Sequence, residues 1–352
     1  MTARAALLAT VALSLGCGTG ASPGGGDSEL PVGRSGPYRL LDSEELPEGA
    51  CLLRDQAATL EDPASLRLDV HRVALYFTRR EGARRTILRA VVVDGRRVEA
   101  APAEALAPSL GWHGGSVGAP DVAITRDGFA MVYDTPEGIG LATSADGLAW
   151  RAADEPMLVA DAAAGELTAL RAPTLVVRPD GRVIVAYESA GAIWAATADE
   201  LSMPLRRLDA DERTPRREAL VAPGADARDA GVVGYASGAV GDPSLRAEDS
   251  LAGRTLYRLF FSARSAPVGI DGGSAIERAI GLAGSFDGVH FARAESAVLS
   301  GGTDPAVRAP SAWSDGPLRT WLFVSGRCDS GGRNEGIRVA VAPGNRRYPR
   351  AP

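Results

Sequence analysis

The sequence predicts an all-β fold, a five-bladed β-propeller whose blades each contain about four antiparallel strands. Five segments repeat one order of residues, and Asp-Gly dipeptides separate short apolar runs within them. After residue 45, no long segment has the 3.6-residue period of an amphipathic helix. The chain has 352 residues, of which 45% are hydrophobic, so it can bury a large core.

Each repeat opens with a proline that precedes a short apolar strand. The five prolines lie 53 to 70 residues apart, at positions 63, 120, 173, 243 and 310. An Asp-Gly turn follows in the second, third and fifth repeats, and a second strand then ends in an aromatic or β-branched run. A third strand is predicted at residues 139–142, 193–196 and 280–283. Repeats of this kind are typical of propeller blades.

Some strands are apolar at every position, as in residues 183–186, which indicates that both of their faces are covered. Blades that pack face to face in a ring provide this cover, and a pair of β-sandwiches is the alternative. A closed ring brings the first repeat next to the fifth. Cys51 and Cys328 are therefore predicted to form a disulfide that locks the ring of an exported protein.

The N-terminal segment has the pattern of a bacterial lipoprotein signal. Arg4 precedes a short apolar run, and residues 13–17 resemble a lipobox that would make Cys17 the lipid-modified residue. The membrane is then a partner through the lipid on Cys17. By resemblance to Gram-negative lipoproteins, Gly18 favours the outer membrane of the cell envelope. An ordinary secretory signal that is cut nearby is the alternative.

These observations divide the chain into four parts. The predicted parts are a signal peptide at 1–17, a flexible Gly-rich tether at 18–45, the propeller at 46–345 and a C-terminal tail at 346–352.

The composition excludes several functions. All 38 basic residues are Arg, so the chain has no lysine for a Walker-A motif, a Schiff base or a PLP site. The net charge of −6 argues against a nucleic-acid partner. The three cysteines form no CxxC pair and the three histidines have no metal-ligand spacing, so no metal site and no cofactor are predicted.

The second repeat resembles a blade of the five-bladed glycoside hydrolases, the relatives of arabinanases, β-xylosidases, levansucrases and invertases. The resemblance is carried by residues 118–121, Tyr133, residues 139–142 and the turn Ser144-x-Asp146-Gly147-x-x-Trp150. It extends over most of residues 50–345. It implies carboxyl groups that project from the innermost strands into a central funnel and hydrolyse a glycosidic bond. The turn itself, with its counterpart at Asp287, is expected to be scaffold.

The resemblance also implies roles for residues beside the repeated prolines. Asp62 matches the base or nucleophile of the family, and Asp242 lies where the general acid, a Glu in the family, is expected. Ala172 stands where the family has a further Asp. The predicted catalytic residues are Asp62, Asp121 and Asp242, and the predicted binding residues are Glu61, Arg171 and Arg308.

Two functions remain open at this point. The first is hydrolysis of oligosaccharides, and the second is binding of a glycan, or scaffolding, without catalysis. Two arginines in a funnel suit a polar or anionic glycan because a guanidinium presents a planar fork to carboxylates. The alternative is that Arg171 and Arg308 neutralise Asp121 and Asp242 at the axis.

Overall fold

The protein is a five-bladed β-propeller, as the sequence predicts. The computed structural model describes residues 36–47, 49–210, 217–224, 235–249, 255–265, 278–301, 306–316, 319–329 and 335–342. Their strands form five separate antiparallel sheets, which excludes the pair of β-sandwiches. Within the described ranges, two short 3-10 turns interrupt the strands and no helix is long and apolar enough to cross a membrane.

Each blade has four main strands. The strand at one edge of each sheet is the innermost, and it lies next to the innermost strands of the neighbouring blades. Blade 1 contains β2 (Thr59–Arg67), β3 (Arg72–Glu81), β4 (Arg84–Val93) and β5 (Arg97–Val98), with β6 (Ala103–Leu106) added to β4. Blade 2 contains β7 (Gly118–Thr125), β8 (Gly128–Asp134), β9 (Ile139–Ser144) and β10 (Arg151–Ala152). Blade 3 contains β11 (Arg171–Val177), β12 (Val183–Ser189), β13 (Ala192–Ala198) and β14 (Arg206–Arg207).

The last two blades follow the same plan. Blade 4 contains β15 (Ala239–Asp249), β16 (Thr255–Arg264), β17 (Arg278–Ser285) and β18 (Ala292–Arg293), with β19 (Leu299–Ser300) added to β17. Blade 5 contains β20 (Arg308–Gly316), β21 (Arg319–Arg327), β22 (Glu335–Val341) and β1 (Arg39–Leu40). The third strands predicted for blades 2, 3 and 4 are thus confirmed.

The two ends of the described chain close the ring together. Strand β1 pairs antiparallel with β22 and completes blade 5, and the disulfide Cys51–Cys328 joins the start of blade 1 to blade 5. The predicted disulfide is therefore present. The predicted boundary of the tether at residue 45 needs correction, because Tyr38 and Leu41 are buried and β1 belongs to a blade. Cys17 and the signal segment lie outside the described residues.

Five hydrophobic clusters lie between successive blades, so every central strand is covered on both faces. In β3, Leu75 and Phe77 pack towards blade 5, whereas Ala74 and Tyr76 pack towards blade 2. The two-residue period of a strand sends alternate side chains to opposite faces. A central strand of a blade has a neighbouring blade on each of its two faces and is therefore apolar at every position. This explains the sequence of residues 183–186.

The Ser-x-Asp-Gly turn of blade 2 has the scaffold role that was predicted for it. The Asp146 carboxylate accepts hydrogen bonds from the backbone N–H groups of Leu148 and Ala149. The Tyr76 hydroxyl of blade 1 donates to the carbonyl of Gly147 at 2.7 Å and its ring packs edge-on against Trp150. The turn thus fastens the rim of blade 2 to blade 1.

Candidate functional site

The innermost strand of every blade contains a β-bulge at its proline. Pairing with the second strand skips two residues there in all five blades. The residue before the proline has a positive φ, between 43° and 54°, and these residues are Asp62, Ala119, Ala172, Asp242 and Ala309. Such a backbone costs of order 1 kcal/mol or more for a residue other than glycine. The surrounding structure must therefore hold each bulge in place.

A hydrogen bond between neighbouring blades holds each bulge. The backbone N–H of the bulge residue donates to a side chain near the end of the second strand of the preceding blade, at 2.8 to 3.3 Å. We call this side chain the acceptor position. Its occupants in blades 1 to 5 are Thr78, Asp134, Glu188, Ser262 and Ser325. The ring of five bonds is complete, and it uses a hydroxyl in three blades and a carboxylate in two.

The prolines and the residues before them narrow the propeller axis to a space of about 30 Å³. On one side of this constriction lies the axial cavity, with a volume of about 650 Å³. The cavity is strongly charged, and its lining includes six arginines and five carboxyl groups. They are Arg80, Arg85, Arg171, Arg264, Arg278 and Arg308, with Glu61, Asp62, Asp134, Glu188 and Asp242.

Asp62 is held in the cavity with few partners for its carboxyl group. Its Oδ2 accepts a hydrogen bond from the Thr78 hydroxyl at 3.2 Å. Burial, reinforced by the charge of Glu61, raises the pKa of Asp62 to about 8, although Arg308 acts in the opposite direction. Asp62 therefore holds a proton at neutral pH and can donate it, whereas the base role that the resemblance implies requires the ionised form.

Glu188 and Asp242 form a second acidic pair, which joins blades 3 and 4. The backbone N–H of Asp242 donates to Glu188 Oε2 at 3.3 Å. Burial and the nearby charge of Asp242 raise the pKa of Glu188 to about 7. Gly241 leaves room for this carboxyl group, since a Cβ at residue 241 would overlap Glu188 Oε2. The pair thus combines a group that titrates near neutral pH with a second carboxyl group.

Three of the arginines in the cavity have carboxylate partners. Arg308 binds Glu61 at 2.6 Å and Glu335 at 2.8 Å, and among the described residues it forms no ion pair with Asp121 or Asp242. Arg80 also binds Glu61, at 2.8 Å. The predicted binding residues Glu61 and Arg308 are therefore engaged with each other across the junction of blades 1 and 5.

A similar ion pair joins the second blade to the first. Arg85 binds Asp134 at 2.7 Å, and the other oxygen of Asp134 accepts the N–H of Ala172. Gly118 makes room for Arg85, because a Cβ there would lie 2.8 Å from Arg85 Nη1. The carboxylate of Asp134 is thus committed to structure, although it faces the cavity.

The structure places Asp121 outside the axial cavity. It follows Pro120 along β7, on the far side of the constriction, and is buried. Its Oδ2 accepts hydrogen bonds from the Thr174 hydroxyl and the Leu175 N–H, and Arg246 approaches at 3.3 Å. These contacts join blades 2, 3 and 4 on the side of the constriction that faces away from the axial cavity. We therefore leave Asp121 out of the catalytic set predicted from the sequence.

Six charged residues of the cavity were not predicted from the sequence, namely Glu188, Asp134, Arg80, Arg85, Arg264 and Arg278. One signal could have revealed the two acids. Each follows directly after the aromatic residue that ends the repeated apolar run of its second strand, Tyr187 or Tyr133. No similar signal marks the four arginines. Among the described residues, no group of His, Cys, Asp or Glu side chains is arranged to hold a metal ion.

Comparisons with known proteins relate this chain to others by its fold. No family model and no curated protein matches the sequence. A candidate glycoside hydrolase from Parabacteroides distasonis has a TM-score of 0.62 at 15% identity, over 87% of this chain and 96% of that chain. A candidate glycosidase from Bacteroides thetaiotaomicron has a TM-score of 0.57 at 17% identity, over 88% and 95%.

A third similar structure is the catalytic domain of a family 62 α-L-arabinofuranosidase from Coprinopsis cinerea. Its TM-score is 0.56 at 10% identity, over 83% of this chain and 94% of that chain. At these identities the comparisons establish a shared fold. That fold is the glycoside hydrolase-like five-bladed propeller to which the sequence was found similar.

Proposed function

We propose that this protein binds an oligosaccharide in the axial cavity and hydrolyses a glycosidic bond there. The observation that carries the proposal is the meeting of three carboxyl groups from three blades, Asp62, Glu188 and Asp242, in one cavity. Glycoside hydrolysis needs a carboxylic acid that donates a proton and a carboxylate that acts as base or nucleophile. The glycoside hydrolase-like fold supports the same proposal.

The roles of the three groups follow from their surroundings. Glu188, with a pKa raised to about 7, is the proton donor, because a large fraction of it is protonated at neutral pH. Asp242 lies beside it and supplies the carboxylate. Asp62, with a pKa raised to about 8, stays protonated and donates a hydrogen bond to a sugar hydroxyl. The cavity volume of about 650 Å³ is large enough for a short saccharide.

A hydrolysis screen of the purified full-length chain tests the proposal. Arabino-, xylo-, fructo- and manno-oligosaccharides are incubated with the wild type and with Glu188→Gln, Asp242→Asn and Asp62→Asn. Loss of a proton donor typically lowers a rate by about 10² to 10⁴, so we expect Glu188→Gln to fall in that range. Asp127→Asn, at an exposed turn, is the matched control. Equal activity of the wild type and Glu188→Gln would contradict the assignment.

Glycan binding without catalysis is the second candidate function. It is favoured by the use of Glu188 as an inter-blade hydrogen-bond acceptor and by Ala172, which stands where the resemblance implies a carboxylate. Calorimetric titration with the same oligosaccharides separates the two candidates. Binding without release of sugar from any substrate would support this second function and contradict the first.

We also propose that Cys17 carries a lipid that anchors the chain in the outer membrane of the cell envelope. The lipobox-like residues 13–17 and the Gly-rich segment after them support this proposal. Labelling of growing cells with a tagged fatty acid tests it. We expect the label and the membrane fractionation to be lost in Cys17→Ala. A wild-type chain without label would instead indicate an ordinary secretory signal.

A further inference from the structure

We propose that the axial cavity contains a subsite for an anionic substituent of the saccharide, formed by Arg264 and Arg278 with Arg171 beside them. The inference rests on the proposed saccharide-binding function and adds a substrate class to it. All three arginines line the cavity. Arg264 and Arg278 come from blade 4 and Arg171 from blade 3.

The first argument is that two of these cations are held opposite each other. Arg264 and Arg278 are directly paired residues at the cavity ends of β16 and β17. Like charges at directly opposite positions of an antiparallel pair destabilise it. Burial, together with repulsion from Arg308 and Arg264, lowers the pKa of Arg278 from its usual value. An arrangement that the fold alone disfavours is expected where a ligand compensates for it.

The second argument is the contrast with the other arginines of the cavity. Each of Arg80, Arg85 and Arg308 forms an ion pair with a carboxylate. Within the described ranges of the chain, Arg171, Arg264 and Arg278 form neither an ion pair nor a hydrogen bond through the side chain. Their three guanidinium groups keep about 15 N–H donors available in one cavity, at about five donors for each guanidinium.

The third argument is the sign of the charge. The whole chain has a net charge of −6, yet the lining of the cavity has six arginines against five carboxyl groups. Because the pKa of Asp62 is raised to about 8, one of those carboxyl groups is neutral at pH 7. The cavity is therefore a local positive region in an acidic protein, which attracts an anion and focuses it at the arginines.

The ligand chemistry is that of an oxyanion attached to a sugar. A guanidinium binds a carboxylate or a sulfate or phosphate ester through paired N–H groups. The charges of Arg171 and Arg264 also act on Glu188, whose pKa they lower against the larger effects of burial and of Asp242. The anionic group would therefore lie close to the proposed proton donor. By neutralising these arginines, it would raise the pKa of Glu188 further.

Matched pairs of ligands test the subsite. The full-length protein is titrated with a neutral xylo-oligosaccharide, the same chain with a glucuronic acid branch, and a neutral oligosaccharide with and without a sulfate ester. Inorganic sulfate alone is the probe for a free anion. We expect at least one charged saccharide to bind about 10- to 100-fold more tightly than its neutral partner, which is the range of a charge-assisted hydrogen bond.

Variants then test whether the arginines cause the tighter binding of the charged saccharide. Arg264→Gln and Arg278→Gln should lose the preference for the charged saccharide and retain the affinity for the neutral one. Each variant also removes a repelling charge, so both should fold. Arg206→Gln, on the exposed strand β14 outside the cavity, is the matched control.

The outcomes separate the subsite from the proposed function. Equal affinity for charged and neutral saccharides, or a preference that survives in both variants, would overturn the subsite and leave the saccharide site in place. Inorganic sulfate that binds as tightly as the charged saccharides would also overturn it. Binding of no saccharide of either kind would overturn the proposed function as well.

Discussion

Replacement of Glu188 with threonine should stabilise the folded protein at neutral and alkaline pH. Threonine or serine occupies the same acceptor position in three other blades, as Thr78, Ser262 and Ser325. Their hydroxyls accept the N–H of the next bulge at 2.8 to 2.9 Å, whereas Glu188 accepts it at 3.3 Å. The substitution therefore gives blade 3 a type of acceptor with which the propeller already holds three of its bulges.

The expected magnitude follows from the pKa of Glu188. Folding raises it from the usual 4.5 to about 7, which corresponds to about 3 kcal/mol at about 1.36 kcal/mol for each pH unit. Between these pH values the folded protein keeps a proton that the unfolded chain has lost. The free energy of unfolding of the wild type therefore decreases as the pH rises from about 4.5 to about 7. The variant lacks this contribution.

Urea unfolding of the wild type and Glu188→Thr at pH 4.5, 6 and 8 measures the effect. We expect the difference in unfolding free energy to grow in favour of the variant by up to about 3 kcal/mol across this range. Titrating groups that do not interact with Glu188 affect both proteins alike, so they cancel from the difference, and the effect of its neighbour Asp242 is part of the measured trend. Glu104→Thr, at an exposed position of β6, is the matched control and should show no such trend.

Two results would refute the reasoning. If the variant is less stable than the wild type at every pH, the threonine does not replace the carboxylate as the acceptor of the Asp242 N–H. If the two proteins differ by a constant amount in either direction, the pKa of Glu188 is not raised by folding, and its assignment as a proton donor loses its basis.

Three further outcomes are expected. The kcat/KM for a hydrolysed oligosaccharide should fall as the pH rises through about 7, since Glu188 must be protonated; a flat profile up to pH 9 would argue against this donor. Loss of the disulfide in Cys51→Ala/Cys328→Ala should lower the unfolding free energy by up to about 5 kcal/mol, because the bond closes a loop of 277 residues; urea unfolding measures it, and a change below about 1 kcal/mol would contradict the entropic argument. Gly241→Ala should displace Glu188 and abolish activity; an assay with retained activity would show that the carboxyl group does not need this space.

The sequence predicted the architecture because the features that build the blades repeat. Five prolines, the Asp-Gly turns and the apolar second strands reflect constraints that every blade shares. Strand β1 escaped prediction because it has only two residues and its place is fixed by pairing with Val341 and Ala340 at the other end of the chain. A local pattern cannot show such a partner.

The site could be predicted only in part. Asp62 and Asp242 were found because each lies beside a repeated proline, and the cavity wall begins at that bulge. Arg264 and Arg278 lie at strand ends, where composition varies freely between blades, and only the packing of blades directs them to the axis. Asp121 was predicted to be catalytic but lies outside the axial cavity. It follows the proline by one residue, and this position places its side chain on the other side of the constriction.

The acceptor position shows how one side chain can both hold a β-bulge in place and bring an ionisable group to the cavity. The bulge N–H needs an acceptor, and a hydroxyl meets that need in three blades without adding charge to the axis. A carboxylate meets the same need in blades 2 and 3 and also brings an ionisable group to the cavity. Arg85 neutralises Asp134, whereas the neighbour of Glu188 is another acid, Asp242. Among the described residues, Glu188 is the acceptor carboxylate that forms no ion pair, and we therefore assign the proton transfer to it.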